Sequence, residues 1–331
     1  MNEWAETAAP LTAPLPESEP AATEPDRGWM RRVVKSQQLE RVQHIHTVVM
    51  TALGISGVVG SVLLSVLVRP MSGAGIATFL TFFFLVGMGL TIGYHRHFTH
   101  RSYKAVTPVR VALAVLGCMA GQGPVVFWVA LHRMHHEFSD REGDPHSPNL
   151  AGTSRLQRLK GLFHGYIGWT VQHPVPNANF YARDLLTDKA VMWVNRRYYV
   201  WILLGLALPA GMGFLLTGTP YGALEGLLMG GLARMFALHN IIWWITSFAH
   251  VFGTRDYRSR DLSTNNAWLA LPTLGESWHN NHHGYPTAAI LTFRWWQVDI
   301  SGMVIAVMEK LGLVWDVSRP TAAELEARRV R

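Results

Sequence analysis

Four apolar segments, each long enough to cross a lipid bilayer, constrain the fold of this chain more than any other feature. A transmembrane helix needs about 20 consecutive, mostly apolar residues. The sequence has such segments at approximately 47–68, 75–94, 198–216 and 221–248. Because only short loops join the first to the second and the third to the fourth, we interpret them as two hairpins. The sequence therefore predicts an all-α integral membrane protein with four transmembrane helices.

The composition agrees with a membrane protein and narrows the kinds of metal site that the chain can build. Of the 331 residues, 49% are hydrophobic and 15% are charged, against roughly 25% charged in an average soluble protein. The chain has 16 histidines but a single cysteine, Cys118. One cysteine excludes an internal disulfide and any four-cysteine zinc or iron–sulfur site. A metal centre in this chain must therefore use nitrogen and oxygen ligands.

Basic residues indicate the side of the membrane that each part occupies. Cytoplasmic flanks of transmembrane helices are enriched in Lys and Arg. The two hairpin loops carry one basic residue between them, Arg69. By contrast, the first and third segments are preceded by Arg27, Arg31, Arg32, Lys35, Arg41, Arg196 and Arg197. We therefore expect both termini and the long section between the hairpins to be cytoplasmic.

The rest of the chain divides by composition. Residues 1–26 contain six acidic residues, five prolines and no Lys or Arg, so the remainder carries a net charge of +13; such a stretch is typical of disorder. An apolar stretch at 106–131 is interrupted by Gly121-Gln122-Gly123-Pro124, and we interpret it as two shorter helices, buried or interfacial. The predicted organisation is a disordered tail (1–28), an amphipathic interfacial segment (29–46), a first transmembrane hairpin (47–94), a first part of a cytoplasmic cap (95–197), a second hairpin (198–249), a second part of the cap (250–317) and a polar C-terminal tail (318–331).

Three histidine clusters carry the chemistry. The second and third share the pattern H-x-x-H-H, and on a helix residues i, i+3 and i+4 lie on one face about 5–6 Å apart. In the first cluster, His95 and His100 are five residues apart, which on an α-helix separates them by about 140°. They converge only at a helix end or irregularity. The clustered histidines are His95, His100, His132, His135, His136, His279, His282 and His283.

The number of histidines predicts more than one metal ion. Eight imidazoles exceed the four ligands of a structural zinc site, and His250, just after the fourth segment, is a ninth candidate. Imidazole suits iron, zinc, copper and nickel alike, so the spacing does not name the metal. Metal-bound histidines usually donate their other N–H to a carboxylate or carbonyl. Candidates for such supporting contacts are Asp140, Asp144, His146 and Glu276.

These residues resemble the membrane-bound acyl-CoA desaturases of the stearoyl-CoA 9-desaturase type. The resemblance covers about residues 40–317 in order and spacing. It rests on Gly93-Tyr94-His95, His100-Arg101-Ser102-Tyr103-Lys104, Trp128, 132–140, Gly143-Asp144-Pro145-His146, Trp243, Ser247-Phe248-Ala249-His250 and 275–286.

The resemblance implies a fold, a cofactor and a reaction. The fold is four spanning helices beneath a helical cytoplasmic cap that holds two irons, bound by the eight clustered histidines and His250; no separate catalytic residue is implied. External electrons and O2 serve to remove two hydrogens from a fatty acyl chain, leaving a cis double bond and water. The expected substrate is an acyl-CoA, the expected position Δ9, and the expected location a bacterial cell membrane.

The electron donor is expected to be a separate protein. The chain has no haem-binding motif or cysteine cluster, and no bound haem or flavin is expected. A ferredoxin, rubredoxin, cytochrome or flavoprotein reductase must therefore dock, and the basic cytoplasmic surface suits an acidic partner. No nucleic acid partner is expected.

Two positions depart from the family pattern. Many members have Asn four residues before the histidine that matches His250, where it holds a water on one iron; here this residue is Thr246. Vertebrate-type members have an Arg-Lys pair that contacts CoA, and here Val171-Gln172 replaces it. Candidates for the wall of a substrate tunnel are Trp128, Trp243, Trp278 and Thr246.

Other functions stay open at this point. Similar histidine boxes serve lipid hydroxylases, and the acyl chain can be linked to a phospholipid or a carrier protein instead of CoA. A histidine-rich metal transporter is disfavoured, because transport sites usually lie near the bilayer midplane. A non-catalytic metal-binding regulator has only Thr246 in its favour.

Overall fold

The computed structural model describes residues 27–171 and 173–330. The predicted disordered tail lies outside these ranges except for residues 27 and 28, and Gln172 also lies outside them. The described chain is mostly helical. Its α-helices are α1 (Gln37–Leu67), α2 (Gly73–Met88), α3 (Thr107–Cys118), α4 (Val125–Phe138), α5 (Arg155–Tyr166), α6 (Ala178–Tyr181), α7 (Arg183–Thr187), α8 (Lys189–Asn195), α9 (Tyr198–Thr217), α10 (Pro220–Gly226), α11 (Arg234–Phe248), α12 (His279–Gly284), α13 (Ile300–Lys310) and α14 (Ala322–Arg328).

The remaining elements are short. Two π-helices, Gly89–Thr99 and Leu227–Ala233, continue α2 and α10 without a break, and 3-10 helices lie at Arg27–Arg32, Gly168–Val171 and Ala267–Leu269. Four two-residue strands form two antiparallel pairs: β1 (Val33–Val34) with β3 (Val175–Pro176), and β2 (Lys104–Ala105) with β4 (Val314–Trp315). The segment 29–46, predicted to lie separately at the interface, comprises most of the first 3-10 helix, β1 and the beginning of α1.

Three stretches of helix in the described chain are long and apolar enough to cross a membrane: Gln37–Leu67, Gly73–Thr99 and Tyr198–Thr217. They correspond to three of the four predicted segments. The fourth is an unbroken helical stretch from α10 to α11, but Glu225, Arg234 and His239 interrupt its apolar residues. Four membrane spans beneath a cytoplasmic cap therefore stay a prediction.

Local sequence sets the ends of the long apolar helices. Ser36 Oγ accepts a hydrogen bond from the Leu39 N–H at the start of α1, and Ser72 Oγ accepts one from the Gly75 N–H at the start of α2. Such caps satisfy N–H groups that have no partner within the helix. α9 ends at Gly218, whose φ of 67° is left-handed, a conformation that glycine adopts at no steric cost.

Buried contacts hold the second hairpin together and fasten it to the rest of the bundle. A Cβ on Gly213 would lie 2.0 Å from the carbonyl oxygen of Gly222, so α9 and α10 approach closely only because both residues are glycine. The guanidinium of Arg234 is fully buried and donates to the carbonyls of Met119 and Gly205, at 2.8 and 3.0 Å. This side chain thereby joins α11 to the end of α3 and to α9.

The apolar stretch at 106–131 contains two helices, α3 and α4, as predicted. The chain turns between them through Gly121 and Gly123, which have left-handed φ angles of 74° and 103°. α3 packs on the first π-helix, where a Cβ on Gly117 would lie 2.2 Å from the ring of Tyr94. The first histidine cluster, on that π-helix, is thus brought beside the second, on α4.

Candidate metal centre

The first histidine cluster lies on a π-helix, and this geometry brings its two ends together. In a π-helix the backbone hydrogen bonds join residues i and i+5, and the His100 N–H donates to the His95 carbonyl at 3.2 Å. His100 therefore lies one turn beyond His95 on the same face, with ring centroids 4.9 Å apart. The irregularity that the sequence requires at this place is the π-helix itself.

The other two clusters lie on α-helices, as their H-x-x-H-H spacing indicates. The second cluster occupies the last turns of α4 and the third begins α12. The rings of His132 and His136 are 4.7 Å apart, and those of His279 and His283 are 4.4 Å apart. His250 follows α11 directly and its ring is 4.9 Å from that of His279.

The nine histidines predicted as metal ligands assemble into two groups. In each group, one ring nitrogen from every histidine lies within 4.8 Å of the others. The first group is His95, His100, His132, His136 and His282; the second is His135, His250, His279 and His283. Each group combines side chains from parts of the chain that are far apart in sequence, so an ion at its centre would crosslink them.

The ring nitrogens fit metal ions at the centres of the two groups. The Nε2 atoms of His100, His135 and His283 are buried without a hydrogen-bond partner, which is costly for a polar atom. The Nε2 atoms of His95 and His282 are 3.0 Å apart. Metal–nitrogen bonds of about 2.0–2.1 Å bring neighbouring ligand atoms to about 3 Å from each other. Two ions, one in each group, would satisfy these nitrogens.

Four carboxylates contact the outer nitrogen, Nδ1, of four rings. The pairs and their N–O distances are Asp140–His250 (2.8 Å), Asp144–His135 (2.9 Å), Glu276–His95 (2.7 Å) and Asp261–His283 (2.5 Å). A proton held on Nδ1 leaves the lone pair of Nε2 directed into the group. Asp140, Asp144 and Glu276 are among the candidates predicted from the sequence, whereas Asp261 is not. In the sequence, the only feature that marks Asp261 is an acidic side chain in the stretch between His250 and the third cluster.

Burial controls the protonation of the rings. Burial, followed by repulsion between neighbouring imidazoles, keeps the pKa of His100, His132 and His282 well below the usual 6.5. These rings are neutral at physiological pH and offer lone pairs to a metal. Burial also lowers the pKa of His250, but the adjacent Asp140 carboxylate outweighs it and raises the pKa to about 9. Metals bind the deprotonated ring, so a metal that binds here displaces a proton.

A buried arginine binds the carboxylate that contacts His95 of the first group. Arg96 is fully buried and donates to both carboxylate oxygens of Asp299, at 2.8 and 2.9 Å, and to Glu276 at 3.0 Å. Asp299 in turn caps α13 by accepting from the Gly302 N–H. The sequence reasoning assigns no role to Arg96 or Asp299. A charged residue is rarely fully buried unless it is paired, but its burial is visible only in the structure.

His146 lies beside the second group. Its ring centroid is 4.1 Å from that of His135, and its backbone N–H donates to Asp144. With these two residues it forms a third set whose possible ligand atoms lie within 4.8 Å of one another. Because this set shares His135 with the second group, we regard His146 as an extension of the same site.

A cavity of about 70 Å³ lies between α1, α4 and α11. Two of the predicted tunnel residues, Trp128 and Trp243, line it. The ring of Trp128 stacks on His132, with centroids 5.1 Å apart. One aromatic side chain thus borders the cavity on one side and the first histidine group on the other. Polar side chains also line the cavity: Gln43, His46, Thr47, Thr51, Gln122, Thr170, His173 and His239.

The other two predicted tunnel residues are not among those that line this cavity. The indole N–H of Trp278 donates to the Val298 carbonyl, and its ring packs on Trp296. The hydroxyl of Thr246 donates to the Gly165 carbonyl at 2.7 Å and so fastens α11 to α5. In the described structure, this hydroxyl therefore forms its hydrogen bond with the backbone.

Comparison with known proteins identifies the family. The family model of the fatty acid desaturases matches residues 73–300. A hex-5-enoyl-[acyl-carrier protein] acetylenase of Moorena producens is 48% identical over 263 residues, which are 79% of this chain and 82% of the relative. The chain belongs to the fatty acid desaturase family. This desaturase is also 35% identical, over 73% of its length and 71% of the relative, to an sn-1 stearoyl-lipid 9-desaturase of Synechocystis.

Family membership confirms part of what the motifs imply. It makes this desaturase an oxidoreductase of lipid metabolism, and its apolar helices fit a membrane protein. The resemblance to the acyl-CoA type is finer than the comparisons support, because these relatives are named for chains on a carrier protein or a lipid. Specificity for acyl-CoA, like the identity of the metal, therefore stays a prediction.

Proposed function

We propose that this desaturase binds two iron ions, one in each histidine group, and introduces a cis double bond at C9 of a saturated fatty acyl chain. The observation that carries the proposal is the convergence of all nine predicted histidines into two groups of five and four. Cleavage of the unactivated C–H bonds of an acyl chain requires a redox metal centre rather than acid–base groups. Nitrogen ligands alone suit iron among other metals, and the family makes iron the choice to test first.

The protein's own residues hold the reacting parts in position. Bound iron would supply the oxidation in which two hydrogens leave the acyl chain and, with two external electrons and two protons from solvent, O2 is reduced to two waters. The four carboxylates fix the rings that receive the metals, and Trp128 forms a wall between the cavity and the first group. A chain lying in this cavity would be held against that wall, so that one pair of methylenes lies nearest the metals.

The carrier of the acyl chain is proposed to be a thioester. The motifs favour acyl-CoA, and the name of the relative at 48% identity favours a carrier-protein thioester. A lipid-linked chain is the alternative supported by the stearoyl-lipid relative. The electron donor is proposed to be a separate ferredoxin, rubredoxin, cytochrome or flavoprotein reductase. We also propose that the metal site and both termini face the cytoplasm of a bacterial cell, with the chain in the cell membrane.

The test is product analysis with the purified protein in lipid nanodiscs. Stearoyl groups on CoA, on acyl-carrier protein and on phosphatidylcholine would each be supplied with O2, ferredoxin and ferredoxin reductase, and the fatty acids examined by mass spectrometry. We expect about two irons per chain and a product two hydrogens lighter, with the double bond at C9. His282→Ala should lose both the iron and the desaturated product. His44→Ala, which changes an exposed histidine on α1, should keep both.

Other outcomes would overturn the proposal. A product heavier by one oxygen would identify a lipid hydroxylase instead. Absence of any new double bond from all three carriers, with iron fully bound, would exclude desaturation of a stearoyl chain.

A second candidate function is the formation of a triple bond. The relative at 48% identity is an acetylenase by name, and a triple bond forms when two further hydrogens are removed from a double bond. Hex-5-enoyl-acyl-carrier protein is therefore the discriminating substrate. A product two hydrogens lighter than this alkene, with no reaction on saturated chains, would favour the acetylenase over the desaturase.

A further inference from the structure

A tryptophan and a leucine in the second part of the cap expose unusually large apolar surfaces. Trp268 is 93% exposed and Leu271, one turn later, is 67% exposed. Met303 and Val307 on α13, and Leu311 directly after this helix, recur every four residues and are also exposed. Exposed apolar patches rimmed by polar residues mark surfaces that contact a membrane or another protein. We call these five residues the apolar rim.

On the side of the bundle formed by α2, the exposed part of the helix is shorter than the hydrocarbon core of a bilayer is thick. Large apolar side chains of α2 are exposed from Ile76 to Leu85, and every residue from Val86 to Arg96 is buried. From Gly73 to Leu85 the helix rises about 18 Å. The hydrocarbon core is about 30 Å thick. Other parts of the protein must therefore face lipid over the remaining thickness on this side.

The second part of the cap encloses α2 where its exposed face ends. A Cβ on Gly87 would lie 2.6 Å from Leu274 Cδ1. The Leu274 carbonyl accepts a hydrogen bond from the Ser301 N–H, and the Ser301 hydroxyl donates to Thr91. These contacts position the chain around Leu271 and the start of α13 directly beyond Leu85, where lipid would otherwise continue.

Charge distinguishes a lipid surface from a protein partner at the apolar rim. Neither 267–275 nor 300–308 contains a charged residue, and the first charges, Glu309 and Lys310, come only at the end of α13. A docking surface for an acidic electron donor would carry basic side chains, because complementary charge steers such encounters. Tryptophan is enriched at the boundary between headgroups and acyl chains, which suits Trp268.

We propose that the apolar rim is embedded in the bilayer, at the boundary between headgroups and acyl chains, and completes the lipid-facing surface next to α2. The second part of the cap then rests within the membrane surface rather than above it. This proposal depends on the described contacts of α2 and not on the identity of the metal or the substrate.

Depth measurement with a nitroxide label tests the proposal in the full chain. Cys118 is fully buried, so an impermeant thiol label reacts with an introduced cysteine, and the unsubstituted protein serves as the blank. Leu271→Cys would be compared with Ala323→Cys, at an exposed position of the polar helix α14. Both would be reconstituted in vesicles of phosphatidylcholine and phosphatidylglycerol.

We expect the label at residue 271 to collide several-fold more with O2, and several-fold less with a water-soluble nickel chelate, than the label at residue 323. Equal access of the nickel chelate to both positions would overturn the proposal. Protection of residue 271 only after ferredoxin is added would also overturn it, and would assign the apolar rim to protein docking.

Discussion

Asp261 accepts a 2.5 Å hydrogen bond from Nδ1 of His283, and this contact directs the unpartnered Nε2 of His283 into the second histidine group. We expect Asp261→Asn to lower metal affinity about 10- to 100-fold, the usual effect of losing a carboxylate behind a ligand. Metal content after dialysis against graded chelator measures the change. Asp316→Asn, which alters an exposed carboxylate paired with Lys104, is the control. Equal affinity in both variants would contradict a positioning role for Asp261.

Arg96→Leu should destabilise the protein by about 3–5 kcal/mol, because it leaves the buried carboxylate of Asp299 without its charged partner. Thermal unfolding in detergent measures the loss. Arg101→Leu removes an exposed arginine paired with Asp184 and should cost less than about 1 kcal/mol. If the two variants unfold at the same temperature, the buried network does not stabilise the fold as described.

Thr246→Val should destabilise the contact between α5 and α11 without changing metal content. Valine keeps the shape of threonine but leaves the buried Gly165 carbonyl without its 2.7 Å hydrogen bond, a cost of about 1–3 kcal/mol. Thr246→Ser retains the hydroxyl and is the matched control. Unfolding temperature and iron content would be measured together. Loss of iron in the valine variant alone would show that the hydroxyl serves the metal site.

Met50→Trp should reduce the volume of the cavity and shift the preferred acyl chain to a smaller length. Met50 is buried and lines the cavity, whereas the adjacent Val49 is exposed on the outer side of α1. We expect at least about a tenfold loss with stearoyl substrate relative to a shorter chain, since even one methylene is worth about this much in a hydrophobic pocket. Val49→Trp should leave the chain-length profile unchanged. An unaltered profile in both variants would place the acyl chain elsewhere.

Much of the candidate site is predictable from sequence because local spacing determines it. The H-x-x-H-H pattern places three rings on one face of α4, and the same pattern places three rings at the start of α12. The loop residues Gly121 and Gly123 separate α3 from α4. Three helices that are long and apolar enough to cross a membrane follow from length and hydropathy. Each of these features depends on residues within a few turns of one another.

The features that sequence does not reveal depend on tertiary contacts. Asp261 reaches His283 because the intervening chain folds back over the site, and 22 positions separate them. Arg96 lies inside the first cluster, yet its role depends on Asp299, 203 positions away. No periodicity connects such pairs. The fourth segment escapes a hydropathy criterion for a different reason: its buried Arg234 is compensated by carbonyls that only the fold supplies.

The π-helix has a consequence for how the first motif can vary in length. On an ordinary α-helix, two residues four positions apart share a face. Here the two residues that share a face are five positions apart, because the backbone hydrogen bond joins His95 to His100. The segment is equivalent to an α-helix with one inserted residue. Removing that residue would restore α-helical bonding while His95 and its partner still faced the same ion. A spacing of four at this place is therefore as compatible with a metal pair as the spacing of five found here.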